Sequence, residues 1–202
     1  AIIRESAGDK SGKGIYFVDT CNVIEENSPN KIPGKELFYE HVHYNFQGNY
    51  LIAKTIFKQV DEVLPDKIKS RKPSSEDSQQ GHFPSEQEVA RYLAYTDWEV
   101  YSISQKVVNE FLKQPPFTNQ LYNKERVQQE EQRVNSLKAS LTEDVMKKID
   151  EQYRWAILQS PSDAYLYFKY GLMLDEQQNP SAAARQFETV LKLEPTHYLA
   201  CA

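Results

Sequence analysis

The sequence predicts a mostly α-helical protein that begins with a short α/β portion and ends in a helical repeat. Glycine is scarce, at 7 of 202 residues, and the long polar stretches are rich in Glu, Gln and Lys, which favours helices. A short β-rich run at 15–18 precedes an amphipathic helix, which is the order of elements in an α/β unit. The C-terminal segment has the spacing of a hairpin of two helices.

The composition excludes several classes of protein. With 40% apolar residues, the chain can form one or two domains with a core. The net charge is -5 and the pI about 5.5, and without a clustered basic face we expect no nucleic-acid partner. No apolar run is long enough to span a membrane. Cys21 and Cys201 lie far apart and predict neither a disulfide framework nor a zinc site.

The first 65 residues predict the order helix, strand, loop, helix. Residues 1–8 are expected to end a helix, and 9–14 to form a turn-rich loop. The run at 15–18 (IYFV) predicts a buried strand. Residues 21–35, with Asn, Ser, Pro and Gly, predict a loop, and a helix is expected from about 46 to 64. The apolar positions at helical spacing in this last helix are Tyr50, Ala53, Ile56, Phe57, Val60 and Val63.

A Ser-rich polar linker at 66–84 is expected to separate this portion from connecting helices at 85–141. Helices are predicted at about 86–94, 97–113 and 119–139. The capping residues that support them are the pairs Ser85/Glu88 and Thr96/Glu99, together with Thr118, while Pro115 and Pro116 end the second helix.

A repeat region is predicted at 142–202, and its last forty residues show the clearest internal order. Thr142 is expected to cap a helix at 143–159. A hairpin follows, in which the second helix begins at Asn179-Pro180. The residues that would line its two helices are Tyr167, Tyr170, Gly171 and Leu174 on the first, and Ala183, Phe187 and Val190 on the second. The small residues lie where the helices must touch, and Phe187 fills the space between them.

The segment 164–197 resembles a tetratricopeptide (TPR) repeat, with Leu174 and Val190 where Tyr and Ala are usual. One period earlier, Tyr153, Ala156 and Pro161 match the second helix of such a repeat, whereas the first helix does not match. A further repeat would start at Tyr198. The resemblance implies a TPR-like array that binds a protein or peptide partner through its groove.

Residues 36–50 (ELFYEHVHYNFQGNY) contain the pattern of a candidate catalytic pair. A carboxylate at Glu40 can accept a hydrogen bond from one ring nitrogen of His43, which leaves the other nitrogen as a base. Asn45 and Gly48 predict the turn into the following helix, and Gly48 permits a close backbone approach.

The stretch EHVHYNFQGNYLIA resembles the last sequence block of the SGNH (GDSL-type) hydrolases, where an Asp-x-x-His pair precedes an Asn/Gly turn and the final helix. The run IYFVDT resembles the penultimate strand of the same family. The resemblance covers about 1–65 and implies that His43 is the general base and Glu40, in place of Asp, its orienting acid. The joined pattern resembles bacterial proteins in which such a domain is followed by a helical region and TPR repeats, which leaves the cytoplasm and the cell envelope open as locations.

The serine nucleophile of that family is not found in the sequence. Ser6 and Ser11 (ESAGDKSG) do not lie between a first strand and a helix. Both chain ends look internal to a longer protein, so we expect the chain alone not to hydrolyse an ester substrate. The resemblance implies no cofactor.

Other interpretations of the same residues remain open. His43 can simply cap the following helix, and His41 is expected to face solvent or bind the backbone. A zinc site from Glu40, His41 and His43 lacks a further ligand, because His82 lies in the polar linker. The alternative function is a non-catalytic TPR scaffold that mediates protein–protein interaction.

Overall fold

The computed structural model describes residues 14–69 and 83–197 and divides the chain into two compact units, Ala1–Glu86 and Gln87–Ala202. The described residues are mostly helical, as the sequence predicts. Expectations for the helix end at 1–8, for most of the linker with His82, and for a repeat starting at Tyr198 lie outside the described residues.

The first unit contains two packed helices joined by a long connection, and one further helical turn. Its helices are α1 (Thr20–Glu26), α2 (Phe46–Val63) and the one-turn α3 (Asp66–Lys69), with a 3-10 turn at Pro29–Lys31. Helix α1 packs against α2. Helix α2 agrees with the expectation to within one residue.

The expected strand at 15–18 is wrong for the described structure. These residues form no regular element, and Ile15 and Tyr16 are 48% and 47% exposed. A strand needs a neighbouring strand to pair its backbone groups, and no described segment pairs with these residues. The β-type pairing that the described residues do contain is an isolated bridge between Phe38 and Tyr44.

The loop expected at 21–35 begins with a helix instead. The side chain of Asp19 caps α1 by accepting a hydrogen bond from Asn22 N at 3.2 Å. Ile24 then buries its side chain to 3% exposure, which anchors this short helix. The Asp19 cap and the buried Ile24 side chain stabilise this helix, although turn-forming residues follow it. The start of the predicted linker is also helical, at Asp66–Lys69.

From Glu86 onward, all regular elements of the described residues are helical. They are α4 (Glu86–Tyr92), α5 (Asp97–Lys106), which continues as a π-helix (Val107–Leu112), a 3-10 turn (Phe117–Asn119), α6 (Asn123–Ser140), α7 (Glu143–Gln159), α8 (Ala164–Glu176) and α9 (Pro180–Leu193). None of the described helices is both long and apolar enough to cross a membrane.

Most of these boundaries follow local capping signals. Thr142 caps α7 and Thr96 caps α5, each through its hydroxyl oxygen. Thr118 does not cap α6, because it lies in the 3-10 turn; α6 begins only after Tyr122, whose backbone is left-handed with φ of 60°. The tight turn after Pro115-Pro116 therefore delays the helix by about one turn.

Helices α8 and α9 pack as the expected hairpin. A Cβ atom on Gly171 would lie 2.5 Å from the Phe187 ring, so glycine is required for this approach. Ala183 and Val190 are buried on the facing side of α9, at 2% and 0% exposure. Helix α7 packs on α8, and Trp98 and Tyr101 of α5 belong to the same core.

A buried polar cluster joins α5, α7 and α8. The Lys169 Nζ lies 3.1 Å from Glu99 Oε2 and donates to the Leu93 carbonyl at 2.8 Å. The Tyr153 hydroxyl donates to the same Glu99 oxygen at 2.9 Å. Burial and the Glu99 charge raise the pKa of Tyr153, which keeps its hydroxyl protonated as the donor. Both members of the charged pair thus have further hydrogen-bond partners inside the core.

Candidate functional site

The candidate catalytic pair lies on a closed loop between α1 and α2. The loop is tied at its base by the bridge between Phe38 and Tyr44, whose ring centroids lie 4.5 Å apart. Tyr39 N donates to the His43 carbonyl at 2.9 Å, and Asn45 N donates to the Leu37 carbonyl at 2.9 Å. Residues 40–43 are therefore held at the tip of a short hairpin.

Asn45 and Gly48 fasten this hairpin to the start of α2. The Asn45 side chain accepts from Gly48 N at 3.0 Å and donates to the Glu36 carbonyl at 2.9 Å. A Cβ atom on Gly48 would lie 2.5 Å from the Leu37 carbonyl oxygen. The close approach that the sequence predicts at Gly48 is present, and it fixes the loop against the helix.

The Glu40 carboxylate is buried in the loop and bonded by the loop's own backbone. Its side chain has 0% exposure. Its Oε2 accepts from the backbone amides of His41 and, at 2.9 Å, Val42, while Oε1 accepts from His43 N at 3.0 Å. Three successive amides thus replace the water that an ionised carboxylate would otherwise bind.

These bonds keep Glu40 ionised despite its burial. Burial by itself raises the pKa of the carboxyl group, but the hydrogen bonds from Val42, from the His43 ring and from the amides of His41 and His43 oppose burial and together lower the pKa to about 2. Glu40 is therefore an acceptor over the whole physiological pH range.

The His43 ring lies directly against this carboxylate. Its Nδ1 contacts Glu40 Oε1, and its side chain is 56% exposed. An ionised carboxylate only accepts hydrogen bonds, so Nδ1 must carry the hydrogen and Nε2 the lone pair of the neutral ring. The structure brings together the two residues that the sequence singles out, and their catalytic role stays a prediction.

His41 takes a position that the sequence analysis missed. Its side chain is 56% exposed, as expected for a solvent-facing residue, but its Nδ1 also lies 2.7 Å from Glu40 Oε2. Sequence spacing gives no signal for this contact, because neighbouring residues in an extended chain point to opposite sides. It arises from the tight turn at 40–43.

The described residues do not form a metal centre. No group of three or more His, Cys, Asp or Glu side chains within 14–69 and 83–197 is placed to hold a metal ion. The Nδ1 atoms of both histidines face the Glu40 carboxylate. This arrangement suits hydrogen bonding between the three side chains.

A second candidate site is a groove of about 880 Å³ between α7, α8 and α9. Its apolar lining includes Met146, Ile157 and Leu158, and Leu158 is 76% exposed. Tyr170 donates from its hydroxyl to Asp150, and burial together with this bond raises the pKa of Tyr170 to about 12.

Comparisons of this chain with family models, curated proteins and solved structures found no significant match.

Proposed function

We propose that this chain carries the base segment of a serine acyl-ester hydrolase or acyltransferase of the SGNH type, joined to TPR-like repeats that bind a protein partner. The observation that supports the proposal is the contact between the His43 Nδ1 and the buried, ionised Glu40 carboxylate. A base held in one tautomer by an acid is the arrangement that activates a serine hydroxyl.

In this role each residue has a defined task. The Nε2 atom of His43 takes the proton from a serine hydroxyl as its oxygen attacks the acyl carbonyl, and later returns the proton to the leaving group. Glu40 holds the ring and stabilises the imidazolium that forms in between. The serine lies outside the segment that resembles the family, which is about 1–65. The proposed substrate class is an acetyl or lipid-like ester.

The surface of α2 is consistent with the α/β part of the proposal. Ile56, Val60 and Val63 are 44%, 44% and 37% exposed and follow one another along the helix at helical spacing. An apolar stripe of this kind is what a helix uses to cover a sheet. No residue within 14–69 and 83–197 forms that sheet.

Labelling of the full-length protein with a fluorophosphonate probe tests the proposal. We expect labelling of one serine, and a large loss of labelling rate in His43→Ala that added imidazole partly restores, because free imidazole can act as the missing base. Val42→Ala serves as the control, since the Val42 side chain is 58% exposed and only its backbone contacts Glu40. A folded protein that is not labelled would contradict the proposal.

The groove in the second unit supports a second candidate function, a scaffold that binds a peptide segment of a partner protein. It combines exposed apolar side chains with charged groups such as Arg154 and Arg185, which suits an extended peptide. Selection of binding peptides from a display library would test this. Leu158→Asp should abolish their binding, whereas Leu121→Asp, at a position that is 87% exposed and outside the groove, should not. Equal binding by both variants would rule out the groove.

A further inference from the structure

The two oxygens of the Glu40 carboxylate are divided between two histidines. Oε1 accepts from His43 N and contacts the His43 Nδ1. Oε2 accepts from the His41 and Val42 amides and lies 2.7 Å from the His41 Nδ1. The carboxylate therefore bridges two imidazole rings, of which the proposed function uses only one.

We propose that His41 is a positioning residue for the His43 base. The His41 ring holds Oε2, which fixes the plane of the carboxylate and keeps Oε1 on the His43 Nδ1. That His43 acts as a base rests on the proposed function, whereas the arrangement of the three side chains does not depend on it.

The reason for a second ring lies in the chemistry of a glutamate side chain. The last torsion of Glu is broad and roughly two-fold, so the orientation of its carboxylate is less sharply fixed than a staggered sp³–sp³ torsion. Backbone amides hold the carboxylate in the loop, but a third donor on Oε2 adds a directional bond on the side away from His43. Turning the carboxylate would break the His41 and His43 contacts together.

Competition between the two histidines is also physically possible, and it predicts the opposite change in the Glu40–His43 bond when His41 is removed. If His41 instead competed with His43 for the carboxylate, its removal would strengthen the bond to His43. If His41 supports the geometry, its removal weakens that bond. The tautomer of the His43 ring reports the difference, because the hydrogen on Nδ1 is held there by Glu40.

Nitrogen NMR of the histidine side chains in the 202-residue chain measures this tautomer directly. At about pH 9, where an ordinary imidazole is neutral, we expect His43 of the unsubstituted protein to be mainly the Nδ1–H form. His41→Ala should lower the ratio of Nδ1–H to Nε2–H by about fivefold, which corresponds to one hydrogen bond of about 1 kcal/mol. His41→Gln, whose amide can donate to Oε2, should recover most of the ratio.

Val42→Ala is the matched control, because it changes the neighbouring side chain and keeps the backbone bond to Oε2. Its ratio should equal that of the unsubstituted protein. The Gly48 amide, bonded to the Asn45 cap, shows whether the loop stays closed in each variant. An unchanged or increased Nδ1–H fraction in His41→Ala, with the loop closed, overturns the proposal.

This readout is independent of the nucleophile. A failure of fluorophosphonate labelling would remove the catalytic function and leave the tautomer result standing. A null tautomer result would remove the positioning role of His41 and leave the labelling result standing.

Discussion

Glu40 stays ionised inside its loop because the loop's own amides take the place of water. Its side chain has no exposed surface, yet its pKa lies well below the ordinary value of 4.5. The bonds come from residues that directly follow it, so the arrangement is local in the sequence. The hydrogen bonds to Glu40 are therefore expected to be lost together when its carboxylate is protonated.

The loop should open in acid. The pKa of Glu40 is lowered from 4.5 to about 2 by folding, so its contribution to stability is complete above about pH 4.5 and is lost as the pH falls through 2. The amide proton signals of Val42 and His43 should follow a midpoint near pH 2 in NMR titrations. In Glu40→Gln this midpoint should disappear, and a midpoint near 4.5 in the unsubstituted protein would contradict the prediction.

Gly48→Ala should destabilise the first unit. The added Cβ would meet a backbone carbonyl, that of Leu37, at 2.5 Å, and a backbone atom cannot move aside as a side chain can. We expect a loss of about 1–3 kcal/mol in the free energy of unfolding, as for other overpacked sites. Urea denaturation measures it, with the exposed neighbour Gln47→Ala as control, which should change stability by less than about 0.5 kcal/mol. Equal effects would refute the steric argument.

At the level of single residues, the contacts that the sequence predicts are those between residues a few positions apart. The Glu40–His43 pair and the Asn45–Gly48 turn each span three residues, so spacing alone indicates them. The His41 contact depends on the direction of two adjacent side chains within a turn. Backbone angles set this direction, and the sequence does not display them.

At the level of elements, the predictions succeeded where a cap and a periodic face coincide. Helix α7 begins after Thr142 and ends at Gln159, as predicted, because both signals are local. The strand at 15–18 failed for the opposite reason, since pairing depends on a second segment. Helix α1 was missed because Asp19 was assigned to the end of a strand and not to a helix cap.

A buried charged pair, Lys169 and Glu99, joins helices α8 and α5. Lys169 and Glu99 are 7% and 8% exposed, so removing one partner leaves the other charge buried. Lys169→Met should therefore cost about 3–5 kcal/mol of unfolding free energy. Thermal or urea unfolding of the chain measures the loss.

Two further variants distinguish the stability lost with this buried pair from a general effect of removing a charge. Lys147→Met breaks an exposed pair with Glu143 in the same unit and should cost no more than about 1 kcal/mol. Adding Glu99→Gln to Lys169→Met should cost less than the sum of the two single changes, because the unpaired charge is gone. Strict additivity would mean that the two groups do not interact.

At the level of the whole molecule, the sequence contains only some of the residues that the proposed activity needs. The chain contains the Glu40–His43 pair but no Gly-Asp-Ser-like block in its 202 residues. We expect the purified chain not to turn over p-nitrophenyl acetate faster than a His43→Ala variant does. A measurable turnover that His43→Ala abolishes would show that a nucleophile is present within the chain, and would correct the sequence analysis.

The way in which Glu40 is held also sets what substitutions its loop can accept. Three of its bonds come from main-chain N–H groups at 41, 42 and 43, which every amino acid except proline carries. Position 42, whose side chain makes no part of the arrangement, should therefore accept nearly any residue in a saturation mutagenesis experiment. Proline is the one replacement there that takes away a bond, and so the one expected to be depleted.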